Sequence, residues 1–184
     1  PTAHYTMGGI RTHTRGMSYL PGLFAAGEAA CVSVHGANRL GANSLLETIV
    51  FGKVTGKDMV RFINDEGSDL PEVDDADIIT EQKRIDDLKA RKPKKGCRPA
   101  EIKNELSEKL DMYCNVFRDE ELLAEAMKAV QAARKKYADV YIDDKGDAFN
   151  TDLQVALELR NLIDLGEGTV LCAQNRLESR GAHS

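Results

Sequence analysis

Tryptophan is absent from this sequence, and aromatic residues of all kinds make up only 5% of its 184 residues. Cysteine is also scarce, with four residues and no C-x-x-C pair, so we expect a reducing compartment and no disulfide framework. No apolar stretch approaches the roughly 20 residues that a membrane-spanning helix needs. No signal-peptide pattern opens the sequence either. These absences predict a chain with no transmembrane segment of its own.

A surplus of basic residues is missing as well. The 25 lysines and arginines stand against 30 aspartates and glutamates, for a formal net charge of −5. Such a balance gives no overall field that would attract nucleic acid or an anionic membrane. We therefore expect no nucleic-acid partner, and any anion site must be local. The sequence is 42% apolar, which is enough for one hydrophobic core or two small ones.

A change in composition divides the chain near Gly67–Asp69. Before this point the sequence is glycine-rich and poor in charge, and after it the segments are highly charged with helical periodicity. We predict two domains, residues 1–66 and residues 67–184. Because the chain opens on Pro1 instead of methionine, directly in a glycine-rich segment, we expect it to be part of a longer protein.

The first domain is predicted to contain short strands and one helix. An apolar run bounded by glycine and proline indicates a strand at residues 23–26, and residues 7–10 are predicted to form another. Ser44 and Glu47 have the spacing of a capping box, which predicts a helix over residues 45–63. Two glycines of this helix are four residues apart and share one face, which we expect to be buried: Gly52 and Gly56.

The second domain is predicted to be all helix. A polar helix spans residues 74–90, and the next helix carries an apolar stripe: Ile102, Leu106, Leu110, Tyr113 and Phe117. A third begins after Asp119 as its cap and carries a similar stripe: Leu123, Ala126, Val130, Ala133 and Tyr137. The fourth starts near Thr151, is most apolar from Leu153 to Ile163, and should bend or break at Gly166 and Gly168. Short connections between helices imply antiparallel neighbours, so the predicted fold class is mainly α, an antiparallel three- or four-helix bundle.

Residues 33–45 concentrate groups that suit an anion, because an arginine, a histidine, two asparagines and two glycines come directly before the predicted helix. Glycines let a backbone approach a ligand closely, and free N–H groups at a helix start carry roughly half a unit of positive charge. Arg39 could grip one carboxylate with two parallel bonds and His4 could donate to another, which suits a dicarboxylate. A plain structural turn, and a structural role for His4, are also compatible with these residues alone.

Four segments of the chain resemble, in the same order, segments of the succinate dehydrogenase and fumarate reductase flavoprotein subunits. They are Pro1–Ile10, Gly22–Cys31, Ser33–Leu46 and Glu178–Ser184. Asn115–Arg118 and Asn150–Leu153 fit the same resemblance within the helical region, whereas residues 65–102 carry no recognised motif. The chain resembles the C-terminal part of such a subunit, in which a remnant of the α/β FAD-binding domain precedes the helical domain.

The resemblance implies a two-electron interconversion of succinate and fumarate, with FAD as the hydride carrier and electrons passed to an iron–sulfur subunit and quinone. His4 and Arg39 match the family's substrate-carboxylate ligands. Glu28 matches the acidic residue at the ribityl region of FAD, and Ser44 and Leu45 match backbone contacts to the flavin. No metal ligand is implied. The G-x-G-x-x-G fold, the flavin-linking histidine and the proton-transfer arginine have no counterpart here, so we assign no catalytic residue to this chain.

The resemblance also implies a location and a fate for the isolated chain. The parent complex is expected at the cytoplasmic face of the inner or plasma membrane, where this subunit is peripheral and attached through iron–sulfur and membrane-anchor subunits. Alone, the chain is expected to be inactive, to retain no FAD, and to self-associate through unpaired strand edges and apolar surface.

Two alternatives stay open at this point. L-aspartate oxidase shares the H-G-A-N-R and E-S-R-G patterns, although Pro1–Met7 and Arg39–Asn43 favour the dicarboxylate dehydrogenases. The isolated chain could instead be a non-catalytic helical interaction module that docks against other subunits. Activity toward succinate or aspartate separates the first pair of interpretations, and the yellow colour of bound flavin separates the second.

Overall fold

A computed structural model describes residues 4–65, 74–93 and 96–184. The chain divides into two units, of which the first comprises Pro1–Glu72 with Arg180–Ala182. The second comprises Val73–Ser179 with His183–Ser184. The predicted boundary between residues 66 and 67 lies outside the described residues.

The first unit contains a two-stranded parallel sheet, in which β1 (Ile10–Arg11) pairs with β2 (Ala30–Cys31). The predicted strand at residues 7–10 is therefore wrong except at its last residue. The predicted strand at residues 23–26 is wrong as well, since only Phe24 forms a bridge, to Met17. The physical reason is that its pairing with residues 16–18 is limited to one bridge, flanked by the bonds Ser18 N–H to Leu23 carbonyl and Ala25 N–H to Gly16 carbonyl. Extended pairing would need a neighbouring strand along the whole run.

Helix α1 (Asn43–Asp65) begins two residues earlier and ends two residues later than predicted. The capping box is wrong because Ser44 lies inside the helix and the Glu47 carboxylate contacts Tyr5 and His35 instead of the helix start. The expected burial of the glycine face is also wrong, since both glycines are exposed with open space around their Cα atoms: Gly52 and Gly56.

One stripe of α1 packs within the first unit. Glu47, Thr55 and Phe62 are its buried residues, and the Phe62 ring meets Phe24 edge to face with 5.7 Å between ring centroids. Most other apolar side chains of this helix are exposed, and we call them the exposed α1 face: Leu45, Leu46, Ile49, Val50, Val54, Met59, Val60 and Ile63. A contiguous apolar surface of this extent is uncommon on the free surface of a monomeric protein.

The second unit contains four helices, α2 (Asp75–Ala90), α3 (Pro99–Tyr113), α4 (Glu120–Ala138) and α5 (Thr151–Gln174). Three of them begin at a side chain that accepts a bond from a first-turn N–H, as expected of good N-caps: Asp74, Asp119 and Asn150. The predicted cap at Asp119 is confirmed, with its carboxylate 2.7 Å from the Leu122 nitrogen.

The bundle runs up, down and up. Glu105, in the first half of α3, pairs with Lys136 in the last turn of α4, as expected of antiparallel neighbours. Arg134 of α4 bonds Asp164 at 2.7 Å, whereas Gln174, further along α5, reaches the Leu123 carbonyl near the start of α4. Helices α4 and α5 are therefore antiparallel too, which confirms the predicted mainly α bundle.

The core of the second unit follows the predicted stripes. Its buried members come from four helices and the segment after α4: Leu88, Ile102, Leu106, Ala126, Val130, Ala133, Val140, Ile142, Ala156, Leu159, Ile163 and Val170. Phe117 was wrongly included, because α3 ends at Tyr113 and Phe117 is 76% exposed. There the Arg118 N–H donates to the Ser184 carbonyl and the Ser184 N–H donates to the Val116 carbonyl, which fixes a non-helical backbone.

The predicted break at Gly166 and Gly168 is wrong as well, because α5 continues through both residues. Gly166 is buried, and a Cβ atom placed there would lie 3.4 Å from Leu110 and 3.7 Å from Val130. The missing side chain lets α3 and α4 approach α5 closely, and this packing outweighs the low helix propensity of glycine. Among the described residues, no helix is long and apolar enough to cross a membrane.

Candidate functional site

The candidate site lies in the first unit, where the loop after β2 leads into α1. Three residues of this loop adopt left-handed backbone conformations that turn the chain sharply: Ser33 (φ 67°), Gly36 (φ 61°) and Ala42 (φ 65°). Gly181 approaches the loop so closely that a Cβ atom would lie 2.3 Å from the Ala37 carbonyl oxygen. Because Gly181 has a φ of 63°, both its backbone angle and this contact require glycine.

A buried carboxylate connects three parts of this site. Glu47 is 3% exposed, and its Oε2 atom accepts a hydrogen bond from the Tyr5 hydroxyl. The same oxygen lies 2.5 Å from His35 Nε2. The rings of Tyr5 and His35 meet edge to face with their centroids 5.5 Å apart. The N-terminal segment, the loop and the helix are thus joined at one oxygen atom.

Arg39 lies against this cluster. Its guanidinium carbon is 4.9 Å from the centroid of the Tyr5 ring, within the range of a cation–π interaction. Its Nη1 donates to the Leu40 carbonyl at 3.0 Å, and its Nε is buried with no hydrogen-bond partner. Within residues 4–65, 74–93 and 96–184, no carboxylate lies within ion-pair distance of this guanidinium. Arginine has five N–H donors, so the group retains capacity to bind an anion.

The structure places the other predicted substrate ligand, His4, directly before Tyr5 in an exposed position. Glu28 approaches the same segment, because its Oε1 accepts from the Thr6 N–H at 2.8 Å. Tyr5 and Thr6 thus connect the segment that bears His4 both to Glu28 and to the cluster beneath Arg39.

The predicted flavin contacts lie at the start of α1. Ser44 is half-buried and its carbonyl accepts from the Thr48 hydroxyl at 2.9 Å, while Leu45 is 68% exposed and its N–H donates to the Ala42 carbonyl. The first turn contains no acidic residue. The positive end of the helix dipole is therefore not offset by a carboxylate in that turn, which suits an anionic group nearby.

Tyr5 is held in its protonated form. Burial and the hydrogen bond to Glu47 raise the pKa of Tyr5 to about 12. Burial disfavours the phenolate, and the adjacent carboxylate repels a second negative charge. Tyr5 therefore remains a neutral donor to Glu47 over the physiological pH range.

Comparison with known proteins shows what this chain is similar to. A family model described as fumarate reductase flavoprotein C-term matches residues 103–184, and one described as FAD binding domain matches residues 1–45. The fumarate reductase flavoprotein subunit of Proteus vulgaris is 38% identical over 185 residues, and the succinate dehydrogenase flavoprotein subunit of Rickettsia felis is 39% identical over 194. Both matches cover 100% of this chain. Over its whole length the chain is similar to part of the succinate dehydrogenase and fumarate reductase flavoprotein subunits.

The similarity extends to three-dimensional structure. A mutant FrdA chain of E. coli quinol fumarate reductase matches with a TM-score of 0.91 at 34% identity, covering 100% of this chain and 31% of that chain. The chain spans about a third of the length of its relatives, 30% of the Proteus protein and 32% of the Rickettsia protein. The resemblance found in the sequence is confirmed, and these matches do not favour L-aspartate oxidase.

Three members of the site were not identified as site residues from the sequence: Tyr5, His35 and Glu47. Glu47 was assigned to a capping box, although its spacing carried another signal. Residues 47, 51, 55, 58 and 62 recur at three- and four-residue intervals and include Phe51 and Phe62, so they form one helical stripe. A glutamate on that stripe faces the interior, and a buried carboxylate requires partners.

Proposed function

We propose that this chain provides part of the active site of an FAD-dependent oxidoreductase that interconverts succinate and fumarate. In this proposal His4 and Arg39 bind the carboxylates of the substrate. Glu28, Ser44 and Leu45 contact FAD. The observation that supports the proposal most strongly is the guanidinium of Arg39, which is stacked on Tyr5 and has no carboxylate partner among the described residues.

Arg39 suits a carboxylate in both charge and shape. A planar guanidinium can donate two parallel N–H bonds to the two oxygens of a carboxylate, which fixes the orientation of the ligand as well as its position. Stacking on Tyr5 restricts the motion of the side chain before the ligand arrives. With His4 at the other carboxylate, the reacting carbons would be oriented for reaction, an effect with a ceiling of about 7–11 kcal/mol in model systems.

The residues at the start of α1 fit a flavin. FAD, when bound, supplies the acceptor for the hydride of the substrate. The start of α1, with no acidic side chain in its first turn, would stabilise negative charge on a neighbouring group. Ser44 and Leu45 contribute backbone at this position. Glu28 lies on a short 3-10 turn, Gly27–Ala29. Gly27 of this turn packs against Thr48 of α1.

The chain is proposed to act only as part of a larger assembly. We assign it no catalytic residue and no metal ligand, and within the described residues no group of three or more histidine, cysteine or acidic side chains could hold a metal ion. The proton-transfer arginine would come from a part of the protein outside these 184 residues. Electrons would pass to an iron–sulfur subunit and then to quinone, with membrane-anchor subunits holding the complex at the cytoplasmic face of the inner or plasma membrane.

The isolated chain is proposed to be inactive and to retain no FAD. The exposed α1 face offers eight apolar side chains to solvent, and the edges of the two-stranded sheet are short. We propose that the isolated chain self-associates through this face, since burial of apolar surface between copies is favourable.

The proposed function is tested by steady-state assays of a full-length flavoprotein that carries this segment, with succinate, fumarate and L-aspartate as substrates. We expect interconversion of succinate and fumarate and no oxidation of L-aspartate. The 184-residue chain with added FAD is the matched control and should be colourless after desalting and inactive. Oxidation of L-aspartate without oxidation of succinate would overturn the proposed substrate, and turnover by the chain alone would overturn the proposed division of the active site.

A further inference from the structure

We propose that Glu47 is a positioning residue of the substrate site, which orients the Arg39 guanidinium through the ring of Tyr5. The inference rests on the proposed function, because it assumes that Arg39 binds a substrate carboxylate. It assigns a role to a side chain that would not itself touch the substrate or the cofactor.

The Glu47 carboxylate is removed from water. The residue is 3% exposed, and its side chain is 1% exposed. A carboxylate removed from water requires partners, and here the Tyr5 hydroxyl and His35 Nε2 both meet the same oxygen. Glu47 lies near the N-terminal end of α1, whose backbone is held by helical hydrogen bonds.

The Tyr5 ring connects this carboxylate to Arg39. The bond from its hydroxyl to Glu47 fixes the position of the Tyr5 ring, and the guanidinium of Arg39 lies 4.9 Å from the centroid of that ring. The Nη1 bond to the Leu40 carbonyl holds the guanidinium at a second point. If Tyr5 loses its anchor, the ring can rotate away, and the two donors of Arg39 lose the fixed plane that a two-pronged carboxylate bond needs.

His35 contacts both Tyr5 and Glu47. Its ring meets Tyr5 edge to face at 5.5 Å and its Nε2 lies 2.5 Å from Glu47, so it encloses the hydroxyl bond from a second direction. His35 belongs to the loop that also bears Arg39. Glu47 therefore constrains Arg39 by two routes, through the ring beneath it and through the backbone that precedes it.

The test uses Glu47→Gln in a full-length flavoprotein that carries this segment. Glutamine keeps the size of the side chain but removes the negative charge that strengthens both bonds. We expect the KM for succinate and the dissociation constant for malonate, a non-reacting dicarboxylate, to rise roughly tenfold. Flavin content should stay unchanged. Malonate binding is measured by calorimetry and does not depend on turnover.

A double substitution separates positioning from general structural support. In an Arg39→Lys background the planar grip is already lost, so adding Glu47→Gln should change kcat/KM by less than about twofold. The matched control is Asp58→Asn, on the same helix, which removes a carboxylate that pairs with Arg15 at 3.6 Å. This control should leave the malonate dissociation constant unchanged.

Tyr5→Phe is a second test of the inference, which can be used if Glu47→Gln does not fold. This variant retains the ring beneath Arg39 and removes only the hydroxyl, so malonate affinity should fall in the same direction. Unchanged malonate affinity in either folded variant would overturn the inference and leave the proposed function intact. The same holds if Glu47→Gln lowers kcat/KM equally in the protein with Arg39 and in the Arg39→Lys variant. A wild-type protein that neither binds malonate nor oxidises succinate would overturn the proposed function itself, and this inference with it.

Discussion

Replacing Arg39 by lysine is expected to lower kcat for succinate oxidation strongly in a full-length flavoprotein that carries this segment. Its flavin content should stay close to that of the unchanged protein. Lysine keeps the positive charge but cannot make the planar, two-pronged bond to a carboxylate. The substrate would then bind in several orientations, and misplacement by about 1 Å can cost roughly 100-fold in rate. We therefore expect a loss of about 100-fold in kcat, which persists at saturating succinate.

The measurement is kcat for succinate oxidation together with flavin absorbance per protein. Arg11→Lys is a matched control, because the Arg11 guanidinium also lies over a tyrosine ring, 5.3 Å from the centroid of Tyr19, but outside the candidate site. This control should retain activity. Unchanged turnover in Arg39→Lys, or a loss explained by missing flavin, would show that Arg39 is not the ligand of the substrate carboxylate.

Replacing Leu106 by alanine is expected to destabilise the second unit by about 2–5 kcal/mol. Leu106 is 5% exposed and belongs to the core that α3, α4 and α5 form. Truncation removes apolar contacts and leaves a cavity that close-packed helices can fill only in part. Most domains have a total stability of only about 5–15 kcal/mol, so this loss would be a large fraction of it.

Urea unfolding of the 184-residue chain, followed by circular dichroism, measures this effect as a lower midpoint with a similar slope. Met112→Ala on the same helix is the control, because Met112 is 61% exposed. It should change the free energy of unfolding by less than about 0.5 kcal/mol. A loss at Leu106 no larger than that at Met112 would contradict the assignment of the α3 stripe to the core.

The helical unit was predictable because its signals are local. The stripe from Leu123 to Ala133 repeats at the spacing of one helix face, and Asp119 caps its own helix through a bond three residues away. Signals of this kind depend on neighbours within two helical turns. They remain valid whatever the rest of the chain does.

The errors arose where distant parts of the chain compete with a local preference. The Glu47 carboxylate contacts Tyr5, which is 42 residues away, and is therefore lost to the helix start. The continuation of α5 through Gly166 reflects contact with Leu110 and Val130 on two other helices. Phe117 is excluded from α3 because the chain end bonds the backbone on either side of it. No window of neighbouring residues contains these partners.

For the candidate site, the sequence predicts a set of residues but not their geometry. The resemblance implies that His4, Glu28 and Arg39 are site residues, which stays a prediction, and a helix start preceded by glycines indicates an anion site. That Tyr5 lies beneath Arg39 and is anchored by Glu47 depends on the tertiary fold. The matched segments contain Tyr5 and Arg39 but end one residue before Glu47, and they do not indicate which residues meet in space.

The most direct test of the central claim is a crystal structure of an FAD-loaded, full-length flavoprotein that carries this segment, with malonate bound. We expect two nitrogens of the Arg39 guanidinium on one carboxylate of malonate, His4 on the other, and the start of α1 at the flavin ring. A structure in which malonate binds next to the flavin but away from both Arg39 and His4 would contradict the account.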